Sequence, residues 1–278
     1  MSGKVKFTPP RVIGRVELLR DLDRPTGRVL LVEGVEQSYV DDVDDEHLEF
    51  EYMQHMALAL DVIRPDHKPL RCVHLGGGAM TMARWLNATR PGSHHVVVEA
   101  SAPIVEVAAS VGLPANTDVV VDDAVAVLPT LPPGQNDLVI WDLYDGPRAV
   151  TAALTLEAIT AMHGLLDVSG LLMLNVSDAV PFDVVRPVAA ALLRCFGDVV
   201  LLAEPATLRG RRSGNCVLVA NKDVGLPVAD LTRAGASAWV RAAVVADEQL
   251  DSFTGSAVPA TADNPLPLPD ARKGRAFL

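Results

Sequence analysis

The stretch RCVHLGGGAMTMARWL, residues 71–86, constrains this chain more than any other. An apolar run ends in three glycines, Gly76, Gly77 and Gly78, and passes directly into a helical pattern. That is a strand, a tight turn and a helix start. Glycine lets the turn adopt positive φ and leaves no Cβ to hold a ligand away from the backbone. Twenty-one positions after Gly78, a second apolar run, HHVVVEA, brings Glu99 to a strand end. A carboxylate there accepts both hydroxyl hydrogens of a ribose. Together these features describe a nucleoside pocket. The dinucleotide pattern GxGxxG would need glycine at position 81, where Thr81 stands. The shorter turn suits ligands of the S-adenosylmethionine type, which have no pyrophosphate to cradle. A glycine-rich turn in some other α/β protein is the plain alternative.

Composition narrows what such a pocket serves. Lys plus Arg number 24 and Asp plus Glu 35 in 278 residues, a net charge of −11. This excess of acid argues against binding nucleic acid through its phosphates and suits a cationic small molecule. A hydrophobic content of 49% supplies a sizeable core and excludes global disorder. Cys72, Cys195 and Cys216 lie in apolar runs without a CxxC pair or clustered histidine. They read as buried thiols of a reducing compartment, neither disulfides nor metal ligands. The start MSGKVKFTPP lacks the apolar stretch of a signal peptide, and no window reaches the ~18 apolar residues of a membrane span. The expectation is a cytoplasmic protein with no membrane partner and no metal.

Residues 1–66 read as a small β-domain with a linker helix. RVELLRD, GRVLLVEG and VEQSYVDD alternate as strands, and Arg24-Pro25-Thr26-Gly27 turns between the first two. An acidic segment, 41–51, leads to a helix, EYMQHMALALDVI, closed by Arg64-Pro65. An edge of the β-layer offers two chains a way to pair as a homodimer.

Residues 67–278 read as a Rossmann-like nucleoside-binding domain with a flexible tail. Seven strand-like runs follow one another: RCVHLG, HHVVVEA, TDVVVDDA, NDLVIWDL, GLLMLNVS, DVVLLAE and CVLVANK. Helical candidates separate the first six, which predicts a parallel sheet buried on both faces. They are MTMARWLNA, a helix opening at Ser101-Ala102-Pro103, a short turn at 125–128, and residues 149–166 and 182–196. The last two runs are joined without a helix across 205–215, so the seventh strand is expected antiparallel, beside the sixth. The fold class is therefore α/β with a small N-terminal β-domain; by analogy, seven strands with a terminal antiparallel one resemble the Rossmann-like seven-stranded class I methyltransferase-type sheet. Residues 229–250 read as one further helix, and the prolines of TADNPLPLPDARKGRAFL forbid another.

Ligands in such sheets sit beyond the carboxyl ends of the strands, so polar residues there are candidates for chemistry. VVVDDA puts Asp122 and Asp123, followed by Ala124, at the third strand end, where a carboxylate either accepts from an adenine amino group or caps a helix. The fourth strand ends in WDLYDGP, placing Asp142 and Asp145 three apart in a loop opposite the glycine turn. If the ligand carries a sulfonium, the carbon beside sulfur is electrophilic and its acceptor must be a neutral nucleophile. A carboxylate that holds an ammonium and removes its proton supplies that nucleophile. Asp-Gly-Pro is also a strong turn signal without any such role. His74 lies inside the first strand and reads as a hydrogen-bonded core residue; His47, His55, His94 and His95 show no spacing tied to metal or catalysis. Trp85 and Trp141 read as packing between helix and sheet, with Trp141 near enough to the site to touch a ligand.

In order and spacing, EGVEQSYV, LEFEYMQHM, HLGGGA, VVEA, VDDA and WDLYDGP resemble the spermidine synthases, the polyamine aminopropyltransferases, over residues 29–220. The resemblance implies a small β-domain before a Rossmann-like domain. It implies aminopropyl transfer from decarboxylated S-adenosylmethionine, a co-substrate and not a tightly bound cofactor, to a polyamine or related small-molecule amine. Gln37 matches the glutamine of a DG-x-x-Q turn beside the donor nucleoside. Glu99 matches the residue that takes the ribose, and Asp123 with Ala124 the element that reads adenine. Asp142 and Asp145 match the D-x-x-D-P loop that carries the base and an amine ligand, and Tyr52 the first residue of Y-[HQ]-E.

The departures are specific. Ala79 stands where the family's GGGDGG turn has the aspartate that holds the donor's charged tail. Met53 and Gln54 replace the polar and acidic members after Tyr52, and EPATLRGRRSGN replaces P-T-Y-P-x-G. Arg209, Arg211 and Arg212 in that segment repel a polyamine if they point inward and form a solvated turn if they point outward. The acidic run at 41–51 either attracts a cationic acceptor or is a solvated linker. Methyl transfer from ordinary S-adenosylmethionine and a non-catalytic nucleoside-binding role are the rival readings.

Overall fold

The computed structural model describes residues 11–13, 15–145, 148–222 and 225–266; the side chains of Arg11, Val12, Ile13, Asp145 and Arg148 lie outside that description. Four antiparallel strands form the N-terminal sheet in sequential order: β1 (Arg11–Ile13), β2 (Val16–Arg20), β3 (Gly27–Val32) and β4 (Val35–Asp41). Three of them are the strands expected from the alternation of RVELLRD, GRVLLVEG and VEQSYVDD. Helix α1 (Glu51–Ile63) then ends where Arg64 precedes Pro65, whose ring is incompatible with a preceding helical residue.

An alternating series follows: β5 (Arg71–Leu75), α2 (Thr81–Thr89), β6 (His94–Val98), α3 (Ala102–Ser110), β7 (Thr117–Val120), α4 (Ala124–Val127) and β8 (Asn136–Trp141). A short antiparallel pair, β9 (Tyr144–Asp145) and β10 (Arg148–Ala149), leads to α5 (Leu156–Leu165) and β11 (Leu166–Asp178). The chain closes with α6 (Val185–Cys195), β12 (Asp198–Ala203), α7 (Pro205–Leu208), β13 (Gly214–Asn221), α8 (Val228–Ser237), β14 (Ala243–Ala246) and α9 (Asp247–Thr254).

The large sheet has eight strands in the order β14-β12-β13-β11-β8-β5-β6-β7. The seven expected strands are all present. β13 lies antiparallel between β12 and β11, as the helix-free connection required, although that connection contains the single turn α7. The eighth strand is a correction. Residues 229–250, read as one helix, form α8, the edge strand β14 and α9, because VRAAVVADEQL gains more by completing the open edge of β12 than from its alanine-rich helix propensity. Likewise 149–166 holds a strand end and a 3₁₀ turn before α5.

The sheet is buried on both faces. α5, α6 and α9 pack on the side of Leu75, Trp141, Leu174 and Leu218, while α1, α2 and α8 cover Cys72, Ile140, Met173 and Val217. Burying each such side chain contributes about 1.5–3 kcal/mol. The small sheet packs through Leu18, Leu30 and Val40 onto Ala79 and Val107, beside the glycine turn. Ala79 is fully buried in that contact, so its methyl group packs there instead of facing a ligand. Trp141 is also fully buried and does not line the cavity described below, contrary to the expectation that it could touch a ligand. No helix among the described residues is long and apolar enough to cross a membrane.

Candidate functional site

A cavity of 390 Å³ opens at the carboxyl ends of β5, β6, β7 and β8, with β4 and the start of α1 closing the opposite wall. Gln37, Tyr52, Gly76, Gly77, Gly78, Glu99, Asp123, Ala124 and Asp142 all line it. The fold thus brings these nine candidates together, while Asp122 is exposed and does not line the cavity. For Asp145 the backbone pairs in β9, and its side chain lies outside the described residues.

The glycine turn fits its surroundings tightly. Gly76 has φ +97°, and an added Cβ would strike the Asp142 carbonyl. A Cβ on Gly77 would lie 2.9 Å from Val97 Cγ1 and 3.2 Å from Glu99 Cβ. The missing side chains therefore let the end of β8 and the Glu99 carboxylate approach the backbone. Glu99 Oε2 accepts from the Gly77 amide at 3.0 Å and the Gly78 amide at 3.3 Å, and Oε1 accepts from the Ser101 amide at 2.9 Å. Three backbone donors fix that carboxylate at the cavity wall. Asp123 caps α4, with Oδ1 accepting from the Val125 amide at 2.8 Å and the Ala126 amide at 3.1 Å. The capping alternative is thus real, and Asp123 borders the cavity as well. Gln37 donates to its neighbour's Glu36 carbonyl at 3.2 Å.

Asp142 is held from two sides. Tyr52 Oη donates to Oδ2 at 2.7 Å, and Asn175 Nδ2 donates to Oδ1 at 2.9 Å. Burial pushes its carboxyl up to about 6, and the nearby Glu99 carboxylate adds to the rise against the lowering effect of both hydrogen bonds. The Ser177 amide donates to Tyr144 Oη at 2.8 Å, and Tyr144 Oη donates to the Asn175 carbonyl at 3.2 Å. Sequence reasoning missed Asn175, Tyr144 and Asn215. The rule that selected Glu99 and Asp142, a polar residue where a strand ends, selects Asn175 when applied to GLLMLNVS. Asn215 starts an antiparallel strand and reaches the same rim from the other direction. Both amides line the cavity with buried Oδ1 atoms that lack any partner.

The charge pattern is one-sided. Glu36, Glu99, Asp123 and Asp142 line the cavity, and no described Lys, Arg or His does. The arginine segment points outward: Arg209, Arg211 and Arg212 are exposed, and Arg212 pairs with Glu204 and, at 3.2 Å, with Glu51.

No protein-family model matches the chain, and no curated protein matches it. Solved structures do. A probable spermidine synthase from Corynebacterium glutamicum is 26% identical, with a TM-score of 0.81 over 92% of this chain and 96% of that one. Spermidine synthase from Thermotoga maritima superposes with a TM-score of 0.55 at 16% identity, over 90% of this chain and 78% of its own. Human methyltransferase-like protein 13, in complex with SAH, gives 0.56 at 18% identity over 74% of this chain and 92% of that one. The chain has a spermidine synthase-like fold built on a class I methyltransferase-like sheet, and the 26% identical likeness supports a transferase.

Proposed function

We propose that the protein transfers an aminopropyl group from decarboxylated S-adenosylmethionine to a small amine. The observation that carries this reading is the cavity lined by four carboxylates and by no described cation. Ordinary S-adenosylmethionine brings a carboxylate into those surroundings, where no described side chain compensates it. The decarboxylated donor brings an ammonium and a sulfonium, and both are favoured there.

Glu99 takes the ribose hydroxyls, Asp123 and Ala124 border the adenine, and Gln37 with the glycine turn closes over the nucleoside. Tyr52 and Asn175 hold Asp142 toward the acceptor, while the Asn175 and Asn215 amide oxygens accept from its ammonium. Each of those oxygens otherwise costs about 1–3 kcal/mol as a buried unpaired acceptor. Asp142 takes the proton, the freed amine attacks the aminopropyl carbon beside sulfur, and methylthioadenosine leaves as a neutral thioether. A carboxyl raised to about 6 is a stronger base than an ordinary aspartate and remains ionised at neutral pH. In this reading Asp145 is a second ligand for the acceptor. The part before residue 66 supplies Gln37 and Tyr52, and the part after it supplies the remaining assigned groups.

Incubation with the decarboxylated donor and a panel of mono-, di- and polyamines tests the reaction. Release of methylthioadenosine with at least one amine is expected. Its absence with every amine, or tighter calorimetric binding of ordinary S-adenosylmethionine, overturns the reading in favour of methyl transfer or a non-catalytic role.

A further inference from the structure

Behind the main cavity lies a smaller one of 20 Å³, lined by His74, Met53, Met80 and Met82 among others. The two cavities share Met53, Gly76, Gly77 and Asp142, so the smaller adjoins the larger. His74 also belongs to a group on the sheet itself. Cys72 and His74 lie two apart on β5 and share a face, and the parallel register sets His95 of β6 opposite Cys72. One ligand atom from each of Cys72, His74 and His95 falls within 4.8 Å of the other two, and all three residues are buried.

As a purely structural cluster this group is poorly satisfied. A single hydrogen bond, His74 Nε2 to His95 Nδ1 at 3.0 Å, is its internal polar contact. His95 Nε2 has no partner although the residue is only 1% exposed. Three polar side chains in one corner of an apolar layer thus share one bond.

We propose that Cys72, His74 and His95 form a copper(I) site, entered from the main cavity past Met53, Met80 and Met82. Thiolate and imidazole donors suit a soft, low-coordinate metal, and the thioethers along the path suit the same ion. Charge decides against zinc. Copper(I) with one thiolate and two neutral imidazoles is neutral, whereas zinc(II) leaves one positive charge in an apolar layer and lacks its fourth ligand. On binding, the Cys72 thiol proton passes to water as the sulfur–copper bond forms. The contact between the imidazoles opens as each turns a ring nitrogen lone pair to the metal. Copper keeps its oxidation state throughout.

The test is an anaerobic titration of the full chain with copper(I) against a chromophoric chelator, followed by X-ray absorption on the loaded protein. One equivalent per chain, a shell of one sulfur and two nitrogens, and zinc(II) bound at least ~100-fold more weakly are expected. Cys72→Ser and His95→Gln each weaken copper(I) binding by ~10–100-fold or more. Failure to take up one equivalent, unchanged affinity in Cys72→Ser, or preference for zinc(II) overturns the site. Should a substituted chain not fold, the absorption spectrum of the unaltered protein decides, since any shell other than one sulfur and two nitrogens refutes the proposal.

Discussion

Two acidic regions of this molecule have the same residue chemistry and opposite surroundings. In the segment 41–51, almost every carboxylate has a cation or histidine assigned to it. Arg28 donates to Asp42 through Nη2 at 2.6 Å and Nε at 3.1 Å, Arg24 binds Asp41 and Asp44, Arg84 lies 3.6 Å from Asp45, and His47 is 3.0 Å from Glu49. In the cavity, Glu36, Glu99, Asp123 and Asp142 form no ion pair with a described residue. The run of charge conspicuous in the sequence is internally neutralised, and the four acids scattered between positions 36 and 142 are not. Net charge says little about which acids attract a ligand; pairing decides.

Removing the least solvated member of the unpaired set breaks the contrast most sharply. Asp142→Asn is expected to reduce methylthioadenosine release by about 10²–10⁴-fold, measured as kcat at saturating donor. The same substitution should stabilise the fold. A carboxyl raised from 3.8 to about 6 favours the folded state when protonated, so the stability it retains in acid is lost as pH rises through about 6. At pH 8 the variant should be more stable than the parent by about 3 kcal/mol, converging with it below pH 4, as read by urea denaturation. Activity of the parent should rise with pH through the same window.

Arg28→Ala attacks the paired set. The Arg28 and Asp42 side chains are 1% and 8% exposed, so an uncompensated carboxylate is left behind. A loss of about 3–5 kcal/mol of stability is expected, with donor affinity unchanged in the folded protein. Glu99→Gln should weaken methylthioadenosine binding by ~10–100-fold in calorimetry, the worth of one or two charge-assisted hydrogen bonds. Asp44→Asn is the mild control. Its pairing with Arg24 is more than a third exposed on both sides, and the cost should stay below ~1 kcal/mol and shrink further in salt.

The half of the cavity around the glycine turn was legible because its determinants are local. Gly76 to Gly78, Glu99 and Asp123 are each adjacent to a strand end whose apolar run announces it. The half around Asp142 was legible only in part. Tyr52 and Asp142 stand ninety residues apart, and nothing local shows that their side chains meet at 2.7 Å. Asn175 is within reach of the strand-end rule, but its bond to Asp142 emerges only when β11 is placed beside β8. β14 was missed for a related reason: a four-residue strand is specified by the edge that receives it more than by its own residues. His74 is buried and hydrogen-bonded, but its grouping with Cys72 and His95 needed the register between β5 and β6.

The placement of β13 between β12 and β11 has a consequence for synthesis. As the nascent chain leaves the ribosome, β12 emerges before the only strand that joins it to the earlier sheet. Until residues 214–221 clear the exit tunnel, the apolar DVVLLA strand has no seat and the β11 edge stands open to any passing strand. A transcript cut short before that point would release a protein with a finished glycine turn and two orphaned strand edges, a substrate for chaperones and proteases and not a smaller working unit.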